Sequence, residues 1–329
     1  MKNFDLNIEE VLEHWDTPHA LREIISNALD ESLLSQTKEP EIFKDEQGSW
    51  RIKDFGRGIK YQHLTQKENE EKLTNSDKVI GKFGVGLKDA LATFDRRKIK
   101  MKIRSRYNDI TIDKIAKNGF IDIVTLHAVV EEDSDPGLIG TEFIFEDLAE
   151  KDMEKAKNFF LIYSDEKIIE ETKYGSILEN KRGKSRIFIN GICVAEEDNL
   201  LFSYNITSPT QKLLKSLNRE RSNVGRSAYS DRIKSILLEC ASSEFANILV
   251  EDFEKLQLGQ AHDELQWVDI QAHASKMLNG SQNVLFLTSE QLLSNNKYIE
   301  YAKDEEIKIV TIPDALFQKM PQLTDFKGN

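Results

Sequence analysis

The stretch ALREIISNALDE, residues 20–31, decides how the rest of the chain is read. It lies in a run from His19 to Leu34 that holds neither Gly nor Pro, behind a Pro18 suited to a first helical turn. On that helix Glu23, Asn27 and Asp30 stand at i, i+4 and i+7 and share one face. Ile24, Ile25, Ala28 and Leu29 supply apolar packing on the others. A carboxylate, an amide and a second carboxylate on one face suit a polar site. Taken alone, they equally suit a solvated surface.

Three further stretches carry chemistry at readable spacing. IKDFGRGI (52–59) places Asp54 after a short strand and before Gly56 and Gly58. Glycines there let backbone approach a ligand, and a carboxylate at that turn can accept a hydrogen bond from a planar amine-bearing base. A plain turn explains the same residues. GKFGVGLK (81–88) has Gly81, Gly84 and Gly86 before a helix, which can form a cradle of N–H groups for phosphate or only a flexible loop. It lacks the spacing of a Walker A loop and of a dinucleotide-binding βαβ turn. Gly140-Thr141 opens a strand and says little by itself.

Order and spacing of the four stretches together resemble the GHKL ATPases, the superfamily of Hsp90, type II topoisomerases, MutL, MORC proteins and histidine kinases. The resemblance spans roughly residues 15–147 and is strongest in ALREIISNALDE and GKFGVGLK, which look like the Hsp90 and MORC versions. Glu31 departs from it, standing where the family has a small residue. The resemblance implies an α/β (α+β) architecture with a Bergerat-fold ATP domain, a helix layer on a mixed sheet. It implies ATP and Mg²⁺ as ligands. Asn27 would ligate Mg²⁺, with Asp30 beside it in the pocket. Asp54 would accept from the exocyclic amine of adenine, and Gly56 and Gly58 would let backbone approach the base. Gly81, Lys82, Phe83, Gly84, Val85 and Gly86 would wrap the phosphates, with Lys88 adding positive charge. Thr141 would support Asp54 through its hydroxyl or a bridging water. Glu23 would be the general base for the attacking water. Arg22 would orient it, or pair with Asp16 or another surface acid. Histidine kinases lack that glutamate and carry a phospho-acceptor helical hairpin before the ATP domain, for which the residues before Glu23 leave no room.

The remaining stretches read as follows. EIFKDEQGSWRIKDFG (41–56) is a strand-turn-strand around Gln47-Gly48, and residues 1–35 read as helical throughout. Residues 62–80 suggest a mobile connection or a short helix. KIKMKIRSR, GFIDIVTLHAVV and GTEFIFED are strands, and Leu148 to Ser164 is an amphipathic helix. In RRKIKMKIRSR (96–106) cations alternate with mostly apolar residues, so one strand face is cationic. That face either contacts a phosphate backbone or is the solvated side of a half-buried sheet. RIFINGICVA (186–195) is a hairpin about Asn190-Gly191, and residues 209–255 are mainly helical. An ATP domain over 1–150, an S5-like transducer over 151–258 and a small α/β unit over 259–329, whole or cut short, follow. In the last, NVLFLTS and KIVTIP flank a helix as parallel strands. In the transducer of this superfamily a basic residue returns to the γ-phosphate; Arg219 or Arg221, in LNRERSNVGR, would fill that role, or form surface ion pairs.

The 329 residues carry a net charge of −12, with 39% hydrophobic and 31% charged residues, an ordinary globular composition. The acidic balance argues against coating nucleic acid with the whole surface, not against a local basic patch. No apolar run is long enough to span a membrane, and the acidic N-terminus is unlike a signal peptide. Cys193 and Cys240 lack metal-ligand spacing and suit a reducing cytoplasm. The reading is a cytoplasmic Mg²⁺-dependent ATPase that closes as a homodimeric clamp or switch, acting on nucleic acid, a partner protein or a prokaryotic defence assembly. The segment 1–15 is either an exchange element for that dimer or a first core helix. An Hsp90-like chaperone and a nucleotide-binding scaffold with negligible hydrolysis are the alternatives.

Overall fold

A computed structural model describes residues 2–8, 15–64, 70–75, 78–81, 86–117, 120–131, 134–181, 183–217, 224–281, 283–294 and 296–320. The chain divides into two compact units, Met1–Ser164 with Asn190–Ile192, and Asp165–Ile189 with Cys193–Asn329. Antiparallel sheet with helices makes an α+β protein. Among the described residues no helix is long and apolar enough to cross a membrane.

The first unit runs β1 (Lys2–Asp5), α1 (Thr17–Ser35), β2 (Glu41–Lys44), β3 (Trp50–Lys53), α2 (Glu70–Thr74), α3 (Gly86–Arg96), β4 (Met101–Ser105), β5 (Asp109–Lys117), β6 (Phe120–Glu131), β7 (Thr141–Phe145) and α4 (Glu150–Lys157). Its seven strands form one sheet in the order β1-β6-β5-β4-β7-β3-β2. Every pairing in it is antiparallel, so among the described residues this sheet is not the mixed one expected. Short hairpin links such as Asp45–Ser49, with Gly48 at φ 87°, turn the chain straight back where a parallel pair would need a long crossover. α1 starts at the N-cap Asp16 with Pro18 in its first turn, and ends at Gln36 in the left-handed region. Its buried Leu21, Ile24, Ile25 and Ala28 pack with Leu91 and Phe94 of α3 over the inward residues Ile52, Ile103, Phe143 and Phe145.

Several local expectations change. Residues 2–5 are an edge strand on β6 rather than helix, because Lys2 to Asp5 complete a ladder with Val130 to His127. Residues 9–14, part of the segment 1–15 read as an exchange element or first core helix, lie outside the described residues. β5 carries too many Asp, Lys and Thr residues to stand out by apolar content, yet it is the longest partner of β6. The helix read over 148–164 stops at Lys157, since buried Phe160 takes an extended conformation (φ −114°, ψ 134°). In 96–106 only Met101–Ser105 is strand; Arg96 ends α3 and Lys98 sits at φ 59°.

The second unit holds β8 (Ile168–Thr172), β9 (Gly175–Leu178), β10 (Ser185–Ile189), β11 (Ile192–Glu197) and β12 (Ser203–Ile206) in the order β11-β10-β12-β9-β8. β10 and β12 are parallel and β12 and β9 antiparallel, so the mixed sheet is here. The turn Asn190-Gly191 has both residues at positive φ (49° and 79°), as its sequence predicts. Then follow α5 (Gln211–Ser216), α6 (Arg226–Glu239), α7 (Ser243–Glu254) and α8 (Val268–Ser281). β13 (Val284–Leu287), α9 (Ser289–Ser294), α10 (Asn296–Asp304), β14 (Lys308–Thr311) and α11 (Asp314–Phe317) are the last elements among the described residues. β13 and β14 are parallel, as read. Buried Glu264 ties this unit together, its carboxylate accepting from Leu201 N–H (2.9 Å) and the Tyr204 hydroxyl (2.7 Å).

Candidate functional site

In the first unit the polar face of α1 turns inward. Glu23 and Asp30 are buried, and Asn27 is half-buried. A helix in water would not bury two carboxylates without partners. Asp30 Oδ1 accepts from Ile80 N–H (2.6 Å), and Oδ2 accepts from Gly81 N–H (2.8 Å) and from Lys72 Nζ (2.7 Å). Lys72 Nζ also donates to Asn27 Oδ1 at 2.9 Å. A Cβ at Gly81 would stand 2.7 Å from Asp30 Oδ2, so only glycine lets this backbone come so close.

Glu23 Oε1 accepts from Arg22 Nη2 at 3.1 Å. Arg22 is not at the surface. Its guanidinium is buried, 5.5 Å from the ring centroids of both Trp15 and Phe159. Asp16 instead pairs with His19. The other oxygen of Glu23 lies against Gly86 at the start of α3, where a Cβ would meet Oε2 at 2.4 Å. Lys88 follows one residue pair later, half-buried in the first turn of α3. Lys82, Phe83, Gly84 and Val85 lie outside the described residues.

Asp54 directly follows β3, the strand beside the β2 edge of the sheet. Its Oδ1 accepts from Gly56 N–H (2.9 Å) and Thr141 N–H (3.2 Å). Its own N–H donates to Thr141 O (2.9 Å). The Thr141 hydroxyl accepts from Ile59 N–H at 3.0 Å, which fixes the far side of the D-x-G-x-G turn. Gly58 takes φ 84° and Gly140 φ 79°. A Cβ on Gly140 would collide with Asp54 O at 2.0 Å. Burial pushes the Asp54 carboxyl from 3.8 up to about 6; the Gly56 and Thr141 hydrogen bonds resist this, and the charge of Glu31 adds to it.

Glu31 and Lys72 are the two participants that the motif reading did not place. The Glu31 side chain lies on Gly56 and grips Arg57, accepting from its N–H (2.8 Å), Nε (2.9 Å) and Nη2 (2.9 Å). Burial pushes its carboxyl up, but the bonds and charge of Arg57, with the charge of Lys72, leave it below the ordinary value. Arg57 Nη1 continues to Glu71 Oε2 at 2.9 Å. The only signal in sequence was negative, a large acid where a small residue was expected. Lys72 sits in a polar stretch with no periodicity to single it out.

Two arginine-rich features resolve differently. On β4, Lys102 pairs with Asp109 (2.8 Å) and Glu131 (3.4 Å), and Arg104 with Asp109 (3.6 Å) and Glu142 (3.7 Å). The cationic face is thus one side of a cross-strand charge ladder, the solvated-face reading. Arg219 and Arg221 lie outside the described residues. Their neighbour Arg226 starts α6 and pairs with Asp263 at 2.6 Å. Cys193 and Cys240 are free, the latter buried.

Known proteins resemble this chain in two ways. The family described as the Mycoplasma pneumoniae MPN635 N-terminal domain matches residues 151–243. A Mycoplasma pneumoniae protein whose printed name is "Uncharacterized protein" is 39% identical over 241 residues, which is 72% of this chain and 97% of that one. A second protein of the same organism and printed name is 30% identical over 152 residues, 46% of this chain and 42% of its own length.

Proposed function

The chain belongs to the family of the 39%-identical Mycoplasma pneumoniae protein, and we propose that it is a Mg²⁺-dependent, ATP-binding and ATP-hydrolysing GHKL protein with a Bergerat-type first unit. One observation carries the reading. A buried carboxylate on a glycine turn, Asp54, shares a unit with an inward helical face of Glu23, Asn27 and Asp30, and Gly81 and Gly86 close on that face at distances where a Cβ would displace Asp30 Oδ2 and Glu23 Oε2.

The residues divide the work by chemistry. Asp54 has one oxygen engaged by backbone N–H groups, and its carboxylate is set to accept from an amine-bearing base. Gly140 keeps a side chain away from that carboxylate, since a Cβ there would stand 2.8 Å from Asp54 Oδ1. Asn27 Oδ1 suits Mg²⁺, a hard cation that takes few protein oxygens and draws the rest from phosphates and water. Bound there, Mg²⁺ supplies charge neutralisation on the phosphates. Asp30 holds the Ile80 and Gly81 amides in place. Glu23, fixed by Arg22 and Gly86, takes the proton of the attacking water as that water adds to the γ-phosphorus. ADP and inorganic phosphate leave.

ATP would then drive a dimerising switch in the cytoplasm, on nucleic acid or a partner protein. The test is the mass of the protein and its ATPase rate, with and without DNA. Turnover with nucleotide-dependent dimerisation supports the switch, and DNA stimulation supports a nucleic-acid clamp. No turnover with retained binding leaves the scaffold reading, and no binding ends the proposal.

A further inference from the structure

We propose that Lys72 is a built-in counter-cation that holds the site shut by occupying the oxygen intended for the metal, so that Mg²⁺·nucleotide enters only by expelling it. The inference rests on the nucleotide reading above and deepens it into a mode of regulation. Its starting point is one shared atom. Asn27 Oδ1, the metal ligand of that reading, accepts from Lys72 Nζ at 2.9 Å. The same ammonium rests 2.7 Å from Asp30 Oδ2. Its side chain is 17% exposed, so it is largely withdrawn from water.

A divalent ion on Asn27 Oδ1 would sit about 2.1 Å from that oxygen. An ammonium on the same oxygen would then be a like charge within a few ångström, in a partly desolvated pocket where repulsion is poorly screened. The two cations therefore exclude one another at Asn27. Gly81 packs against the ammonium as well, since a Cβ built there would stand 3.0 Å from Lys72 Nζ.

α2 has its own restraint. Glu71, beside Lys72, binds Arg57 Nη1 at 2.9 and 3.2 Å, and Arg57 is gripped in turn by Glu31. Two successive residues of one short helix are thus tied to α1, Lys72 directly and Glu71 through Arg57 and Glu31. These ties give Glu31 a purpose where a small residue was expected: it anchors the latch. A latched majority reduces apparent affinity by the fraction of open molecules.

The test compares wild type, Lys72→Met and Glu71→Gln by calorimetry with a non-hydrolysable ATP analogue, in Mg²⁺ and in EDTA. With Mg²⁺, Lys72→Met is expected to bind roughly tenfold tighter than wild type and Glu71→Gln a few-fold tighter. In EDTA the gain disappears, because no metal then competes for Asn27. Hydrogen exchange supplies a second reading that needs no turnover. Mg²⁺·analogue should speed exchange over residues 70–75 of wild type, and Lys72→Met should show that fast exchange without ligand. Unchanged or weaker binding by Lys72→Met overturns the latch while leaving the nucleotide site standing, as does an equal gain in EDTA. Should Lys72→Met fail to fold, Glu71→Gln and the wild-type exchange pattern decide. If wild type and both variants bind no analogue, the nucleotide reading itself fails.

Discussion

Asp54 offers the sharpest quantitative handle, because its carboxyl is pushed by burial to about 6, into the range where affinity can be measured. A base amine needs an acceptor, so a proton on Asp54 competes with the base. With a midpoint at about 6, roughly 90% of Asp54 is ionised at pH 7 and roughly 10% at pH 5. Affinity should therefore weaken roughly tenfold between those values, about 1.4 kcal/mol. Adenosine is the cleaner probe, since it has no phosphate to titrate, with Mg²⁺·ADP beside it. Glu31→Gln removes a charge that raises the Asp54 value and should move the midpoint to lower pH. The empty protein should show the linked effect on stability. A carboxyl raised in the folded state favours folding fully below its unfolded value near 4, and that contribution is lost as pH rises through about 6. Asp54→Asn lacks this loss, so its stability relative to wild type should rise by roughly 1 kcal/mol from pH 5 to pH 7. Flat affinity for adenosine across that range, or tighter binding at pH 5, would refute the acceptor role of Asp54.

Other expectations follow from single contacts. Glu23→Ala should keep nucleotide affinity and lose turnover by at least roughly a hundredfold, read as single-turnover phosphate release; equal rates would remove Glu23 as the base. Gly140→Ala puts a Cβ 2.0 Å from Asp54 O at φ 79°. It should destabilise the protein by about 2–4 kcal/mol in urea titration; a loss under about 0.5 kcal/mol would contradict the close packing described. Non-hydrolysable ATP should raise the dimer fraction in light scattering, and a monomer at saturating nucleotide would count against the switch.

The parts of this fold that sequence disclosed were those with local chemistry. Pro18 behind Asp16, Gly48 in its tight turn and Asn190-Gly191 in its hairpin each carry a backbone instruction within a few residues. The inward face of α1 was legible as a spacing, though only tertiary contact decides that Glu23 and Asp30 are buried rather than solvated. β1 was not legible because its partner β6 lies far along the chain, and β5 because its Asp, Lys and Thr residues interrupt the apolar pattern although β6 follows it directly. The antiparallel order of the first sheet is likewise a property of connections, not of any strand. Around the candidate site, Asn27, Asp30, Asp54, Gly81, Gly86 and Thr141 were named through the resemblance of their four stretches taken together, not by any one stretch alone. Lys72 and Arg57 could not be, since an ion pair across 42 or 26 residues leaves no local trace. Of the two roles open to Arg22 in the sequence, its burial beside Trp15 and Phe159 and its bond to Glu23 leave the contact with Glu23 rather than a surface pair with Asp16.

Calorimetric titration of the wild-type chain with a non-hydrolysable ATP analogue, with and without Mg²⁺, tests the central claim most directly. The account predicts saturable binding that strengthens with Mg²⁺ and is lost in Asp54→Asn. No binding at millimolar nucleotide, or equal binding by Asp54→Asn, would contradict it.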